Sequence, residues 1–272
     1  MTWTMRNPRA VLVAATFVGV LLSLPHISPA AAQPPSQASV ASVSAPEVNP
    51  LASDATARLK KKEYRNVTVS VNQGIVILNG TVDLYAHKAD AEKRVRKVKG
   101  VTEMHDFIAV AGPNVSDQEL QEKLLSKLTY DRVFYGNAFN AISLNVSKGT
   151  VTLGGHALSL NSKGSALDLV SYYPGVKDVV DEIQVDPDSM MDNRIRMMVF
   201  RAVYGAPQLN RYALDPAKPI RISVQNGNVG LYGVVDSQSD KQMAFIRANA
   251  VSGVFSVKNY LDVVGPSAKA KK

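Results

Sequence analysis

The sequence predicts an α+β protein of three tandem small modules, each running helix, strand, strand, helix, strand. Three observations predict it. NQGIVILNG (72–80), SKGTVTLGG (147–155) and QNGNVGLYG (225–233) each hold two glycines six apart: Gly74 and Gly80, Gly149 and Gly155, Gly227 and Gly233. Twenty residues after each second glycine stands a Gly-Val pair, at Gly100, Gly175 and Gly253, and ten residues after those glycines comes Val110, Val185 or Val263. Within each unit the apolar period switches from two to that of a helix. Glycine is only about one residue in sixteen, 17 of 272, so a gapless threefold recurrence is not coincidence.

Each element follows from the pattern. Val69/Val71, Leu144/Val146 and Ile222/Val224 alternate with polar residues before the first glycine, and Val76/Leu78, Val151/Leu153 and Val229/Leu231 alternate after it. This is a hairpin turning at Gly74, Gly149 and Gly227, with the second glycine expected where the strand leaves the sheet. Ala91, Val95 and Val98, matched by Ala166, Val170 and Tyr173 and by Ala244, Ala248 and Val251, then mark a helical face. Alanine at its first position fits a helix packed closely on a sheet. Gly100, Gly175 and Gly253 are expected to stop that helix as C-terminal glycines, ahead of a third strand over 104–110, 179–185 and 257–263.

A further helix precedes each hairpin. Ser53-Asp54 is expected to open the first, with Ala55 and Leu59 inward. Ser116-Asp117-Gln118-Glu119 reads as a capping box ahead of Leu120, Leu124 and Leu128. Asp192 is expected to open the third, with Ile195, Val199 and Ala202 inward. The modules are placed at 51–113, 114–187 and 188–265. The second and third carry aromatic insertions, TYDRVFYGNAFN (129–140) and YGAPQLNRYALDPAKP (204–219). These are either local loops or surfaces that contact a neighbouring module, a membrane or a partner.

The flanks bear on location. Arg6 and Arg9 precede a fifteen-residue apolar run from Ala10 to Leu24, and Ala30-x-Ala32 follows. Residues 1–32 therefore read as a cleavable signal peptide with Gln33 as the first mature residue. The alternative is an uncleaved anchor, for which the run is short against about 20 residues. Residues 33–50, rich in Pro, Ser and Ala, read as a flexible linker, and 266–272 as a basic tail. The expected location is periplasmic or secreted.

These residues resemble the BON family, small modules of bacterial envelope proteins. The resemblance rests on V-x-V-x(2)-G-x-V-x-L-x-G at the hairpin, then Gly-Val, then Asp106, Asp181 or Asn259 six residues past the glycine, three times over roughly 51–265. It implies two helices packed on a three-stranded mixed sheet, export, phospholipid binding and a role in envelope integrity or osmotic stress. It implies no enzymatic site.

Composition narrows the chemistry. There is no cysteine, which removes disulfides, thiolate metal sites and cysteine nucleophiles. His87, His105 and His156 occupy three different module positions, without metal-ligand spacing, and read as lone surface histidines. No G-x-S-x-G, H-E-x-x-H or Walker A motif is present. No catalytic residue, cofactor or metal is expected, although an enzyme with a site between modules is a rival that converging polar side chains would reveal. The net charge of +8 favours anionic partners, and export argues against nucleic acid. The charge divides as +4 over 54–113, −3 over 114–187 and +3 over 188–265. One lysine recurs, at Lys88, Lys163 and Lys241, eight residues after each second glycine and near a helix N-terminus that itself favours anions. With Lys60, Lys61, Lys62, Lys93, Arg94 and Lys97 of the first module, these are the candidate anion- or lipid-binding residues. The expected partner is anionic phospholipid or a membrane-associated protein, bound peripherally. The alternative is a scaffold for proteins or cell-wall components.

Overall fold

A computed structural model describes residues 49–130, 136–215 and 219–264. The expected signal peptide, nearly all of the linker, the basic tail and parts of both insertions lie outside the described residues.

The first module comprises α1 (Pro50–Arg58), a 3₁₀ turn (Lys62–Tyr64), β1 (Val67–Asn72), β2 (Ile75–Val82), α2 (Tyr85–Arg96) and β3 (Glu103–Val110). The second comprises α3 (Asp117–Tyr130), the short α4 (Gly136–Phe139), β4 (Ala141–Ser147), β5 (Thr150–Ala157), α5 (Leu160–Ser171), β6 (Asp178–Asp181) and β7 (Gln184–Val185). The third comprises α6 (Met190–Tyr204), the short α7 (Arg211–Leu214), β8 (Arg221–Gln225), β9 (Asn228–Val235), α8 (Gln238–Asn249) and β10 (Ser256–Val263). In each, the middle strand pairs antiparallel with the strand before it and parallel with the one after it. The chain thus has an α+β fold of three tandem modules. The third strand of the second module is broken, and both of its pieces, β6 and β7, pair with β5.

Each module has its own apolar core. Ala91, Ala166 and Ala244 are fully buried beneath their helices, against Leu78, Leu153 and Leu231 of the middle strands. The hairpins turn at Gln73-Gly74, Lys148-Gly149 and Asn226-Gly227, where both residues have positive φ. That is the tight turn whose twist matches paired strands. Two of the turns are clamped. Asp117 accepts from the amides of Lys148 and Gly149 at 2.6 and 2.8 Å, and Asp192 accepts from Asn226 and Gly227 at 2.9 Å each.

Several expectations require correction. The second glycine does not end its strand. Gly80, Gly155 and Gly233 lie inside β2, β5 and β9, with φ between +84° and +123°. A Cβ there would meet a backbone oxygen, Asn66 at 2.0 Å, Ala141 at 2.1 Å and Pro219 at 2.7 Å. The preceding strand crosses at that point while the middle strand continues beside its parallel partner. Gly100, Gly175 and Gly253 lie four residues beyond the last helical residue and shape the turn into the third strand. Asn49 caps α1, through Oδ1 and the Leu51 amide at 3.0 Å, and Ser53-Asp54 lies within the helix. Ser189 caps α6, which frees Asp192 to hold the hairpin. Val203 is buried where Ala202 was expected to be. Half of the capping box forms: Ser116 Oγ accepts from the Glu119 amide at 3.2 Å, while the Glu119 carboxylate pairs with Lys123 at 2.6 Å.

The two insertions divide the alternatives left open by the sequence. That of the third module folds onto its own core, burying Tyr204, Ala206, Leu209 and Tyr212. The described end of the second module's insertion crosses to the neighbour. Ala138 and Phe139 sit in the third module's core, Phe139 at 5.5 Å between ring centroids from Phe200.

The two glycine classes should differ sharply on substitution. Gly74→Ala meets open space and should cost about 1 kcal/mol for its backbone conformation alone. Gly80→Ala must displace the Asn66 carbonyl and should cost at least about 3 kcal/mol. Urea denaturation of the two variants checks the order.

Candidate functional site

The helical layer of the first module gathers most of the candidate residues. Lys60 and Lys61 lie between α1 and the 3₁₀ turn and Lys62 opens that turn, which packs against α2. Lys93 and Lys97 project from the end of α2. Cations there complement the negative end of the helix dipole. Lys60, Lys62, Lys93 and Lys97 are exposed and make no ion pair among the described residues. The others are engaged. Lys61 pairs with Glu63 at 3.5 Å. Arg94 donates from Nε to Asp90 at 2.7 Å, and Tyr64 donates its hydroxyl to the same carboxylate oxygen. Burial pushes the Asp90 carboxyl up, but these hydrogen bonds outweigh it and hold it below its ordinary value. Burial, with Asp90 adjacent, raises the Tyr64 hydroxyl to about 12.

The recurring lysine does not form one kind of site. Its neighbour is the recurring Asp or Asn of the third strand, which closes a local turn in every module: Asp106 accepts from Ile108, Asp181 from Ile183 and Asn259 from Leu261, at 2.8, 3.0 and 3.2 Å. Lys163 clasps this turn, giving Nζ to Asp181 and to the Ile183 carbonyl, both at 2.8 Å. In the third module the clasp is inverted, and Asn259 donates to the Lys241 carbonyl at 2.8 Å. In the first, Lys88 is half-buried near Asp106, whose carboxyl is raised by burial against the pull of the Lys88 charge. Asp106 Oδ2 is buried without a hydrogen bond. In the second module the repeat is therefore a tie between helix and strand, and the Lys163 ammonium is already occupied.

The largest polar convergence was missed by sequence reasoning. Asp186, just past β7, is buried at the seam between the second and third modules. Its Oδ1 accepts from Ser223 Oγ at 3.3 Å and Gln225 Nε2 at 3.1 Å, and its Oδ2 from the Val224 amide at 3.2 Å and Arg196 at 3.3 Å. Arg196, also buried, donates to the Val224 carbonyl at 3.1 Å and to Asn193. His156 of the second module lies with Nδ1 at 3.3 Å from Asp186 and at 3.0 Å from Gln225 Nε2. It is no lone surface histidine. Ser223 faces Asp186, not the imidazole, so this cluster presents no activated nucleophile. Beside it, a cleft of about 410 Å³ opens on the free face of the third sheet, past Gln225, Asn228, Tyr232 and Tyr260.

The junction between the first two modules is different. Tyr85, the first residue of α2, packs into the second module's core and donates to the Val179 carbonyl at 3.5 Å. Leu160, its counterpart at the start of α5, is exposed. Among the described residues no His, Asp or Glu cluster is placed to hold a metal, and no helix is long and apolar enough to cross a membrane.

The BON domain family model matches residues 48–112, 116–187 and 207–265. The chain belongs to this family. The third BON match begins after α6, although α6 supplies Ile195, Val199 and Val203 to that module's core. No curated protein matches the chain. Among solved structures, it is similar to the C-terminal domain of CdsD, a structural protein of the type III secretion system of Chlamydia trachomatis. Identity is 14%, coverage 79% of this chain and 98% of that one, and the TM-score 0.23. It is also similar to the periplasmic domain of PrgH, a type III secretion inner membrane protein of S. typhimurium, at 8% identity over 76% and 97% of the two chains, with a TM-score of 0.19.

The Asp186 pair makes a quantitative claim. Asp186→Leu strands a buried arginine and should lower stability by about 3–5 kcal/mol, whereas Asp186→Leu with Arg196→Met removes both charges and should recover part of that loss. Denaturant unfolding of the single and double variants reads the difference.

Proposed function

We propose that the protein is an exported, non-catalytic component of the bacterial cell envelope that docks peripherally on anionic phospholipid through the helical layer of its first module. One observation carries the proposal: Lys60, Lys62, Lys93 and Lys97 are exposed on that layer with no carboxylate partner among the described residues, while Lys61, Arg94 and Arg96 are held in ion pairs. Each basic side chain close to an anionic bilayer contributes about 1 kcal/mol, and the attraction falls off within a Debye length of about 8–10 Å at ordinary salt. Four such charges give reversible, salt-sensitive attachment without a pocket. The acidic second module is the poorest candidate for this contact, since its residues 114–187 sum to −3. A role in envelope integrity or osmotic stress is the wider setting of this reading, and the periplasm its compartment.

Co-sedimentation with vesicles tests it. The mature chain should pellet with phosphatidylglycerol-containing vesicles at low salt, not with phosphatidylcholine alone, and should be released by 0.5 M salt (about a 4 Å Debye length). Replacing Lys60, Lys62, Lys93 and Lys97 by Gln should cut partitioning at least tenfold. Equal pelleting of the two proteins would contradict the assignment.

A further inference from the structure

The cleft on the free face of the third sheet is not a product of the repeat. Its aromatic floor is a pair, Tyr232 on β9 and Tyr260 on β10, opposite each other in the parallel register and stacked with centroids 5.0 Å apart and planes at 16°. Asn79 and Gly154 stand where Tyr232 does in the other modules, and Phe107 and Glu182 where Tyr260 does. Gly230 is likewise peculiar to this module, and its backbone does not require glycine. It is buried because the Tyr232 side chain lies over it. A Cβ at 230 would come within 2.6–2.9 Å of Tyr232 Cε2, Oη and Cζ. A strand glycine of this kind marks a close approach, here one that lays a tyrosine along the sheet. Burial, with Tyr260 and Asp186 nearby, raises the Tyr232 hydroxyl to about 12, so it remains a neutral donor.

The polar rim is fixed in advance. Gln225 Nε2 is held by both Asp186 and His156. Asn228 donates to the carbonyls of Gln225 and Asn226 and accepts from Ser256 Oγ at 2.7 Å. Such preorganisation lowers the ordering cost of binding. The volume, about 410 Å³, falls in the range of small-ligand sites, about 300–1,000 Å³.

The lining discriminates among ligand classes. An acyl chain needs apolar walls, and this rim is amide and hydroxyl. A phosphate needs clustered cations, and among the described residues Lys258 is the one lysine or arginine lining the cleft. A peptide adding to the sheet needs a free edge, and the tyrosine pair lies on the face. A sugar ring presents an apolar face of C–H groups to an aromatic surface and an equator of hydroxyls to amides, which is the combination found here. We propose that this cleft is a carbohydrate-binding site for a neutral, hydroxyl-rich oligosaccharide, with the exposed Tyr260 ring as the stacking platform, backed by Tyr232, and Gln225 and Asn228 as hydrogen-bonding groups.

The proposal is independent of the lipid contact on the first module and is tested separately. The full mature chain is titrated with a β-1,4-linked trimer of N-acetylglucosamine, with a trimer of glucose and with inorganic phosphate, followed by amide chemical shifts. Saturable shifts confined to 225–232 and 258–260 with either trimer are expected. The N-acetylated trimer acting alone would assign the site to amino-sugar polymers, and the glucose trimer acting alone to neutral glucans. Tyr260→Ala should weaken the binding at least tenfold. So should Gly230→Ala, which displaces the Tyr232 ring without touching the core, and both variants should melt with the wild type. No saturable shift with either trimer at millimolar concentration would overturn the proposal. Unchanged affinity in both variants, or the same residues responding to phosphate in preference to sugar, would overturn it as well.

Discussion

The arrangement of the second and third modules depends on one carboxylate. Asp186 leaves the last strand of one module and enters the sheet edge of the next, where the amide of Val224 meets it and Arg196 takes the Val224 carbonyl. β8 lies at the edge of its sheet, and an uncovered edge is a template for unwanted pairing. The Asp186–Arg196 pair closes it with charge-assisted hydrogen bonds, and Phe139 seals the apolar side against Phe200. A buried charge pair adds little net stability, but breaking it by removing one partner leaves the other charge buried and unpaired. Here it turns two small domains with separate cores into one body, and the seam is what holds Gln225 and His156 in place beside the tyrosine cleft.

The same frame carries three different surfaces because its constraints are internal. The middle strand of every module must pass within contact of the backbone at residue 66, 141 or 219, which only glycine allows, and the helix above must begin its inward face with alanine. Nothing in those demands reaches the outer helical face or the free face of the sheet. The first module exposes lysines on its helices, the second is acidic, and the third places stacked tyrosines on its sheet.

What the sequence disclosed follows this division. Hairpins, the order of elements along each module and the inward helical faces are legible because each depends on residues within about 40 positions that recur in register. Gly74 is a turn in both sequence pattern and structure. The role of Gly80 is hidden, because a crossing carbonyl leaves no mark on the local pattern. The repeated lysine was visible as a repeat but not as a tie, since Lys163 reaches Asp181 only after the helix has folded onto the sheet. The cluster of Asp186, Arg196 and His156 is hidden for a stronger reason: none repeats, and they meet only when two modules dock, so that His156 looks like a lone surface histidine. The available hints were a lone acid before Pro187 at a module boundary, and an arginine one turn from Asp192 beside the apolar stripe of α6.

Through Asp186 the second and third modules form one cooperative body. Native-state amide hydrogen exchange measures this directly. The Val224 amide points away from β9, so only the junction protects it. With the seam closed, the amide of Val224, which donates to Asp186, exchanges as slowly as that of Leu231 in the middle strand, through unfolding of the whole pair. Exchange of Val224 orders of magnitude faster than Leu231 would show a seam that opens independently, and the two modules would then not be one body.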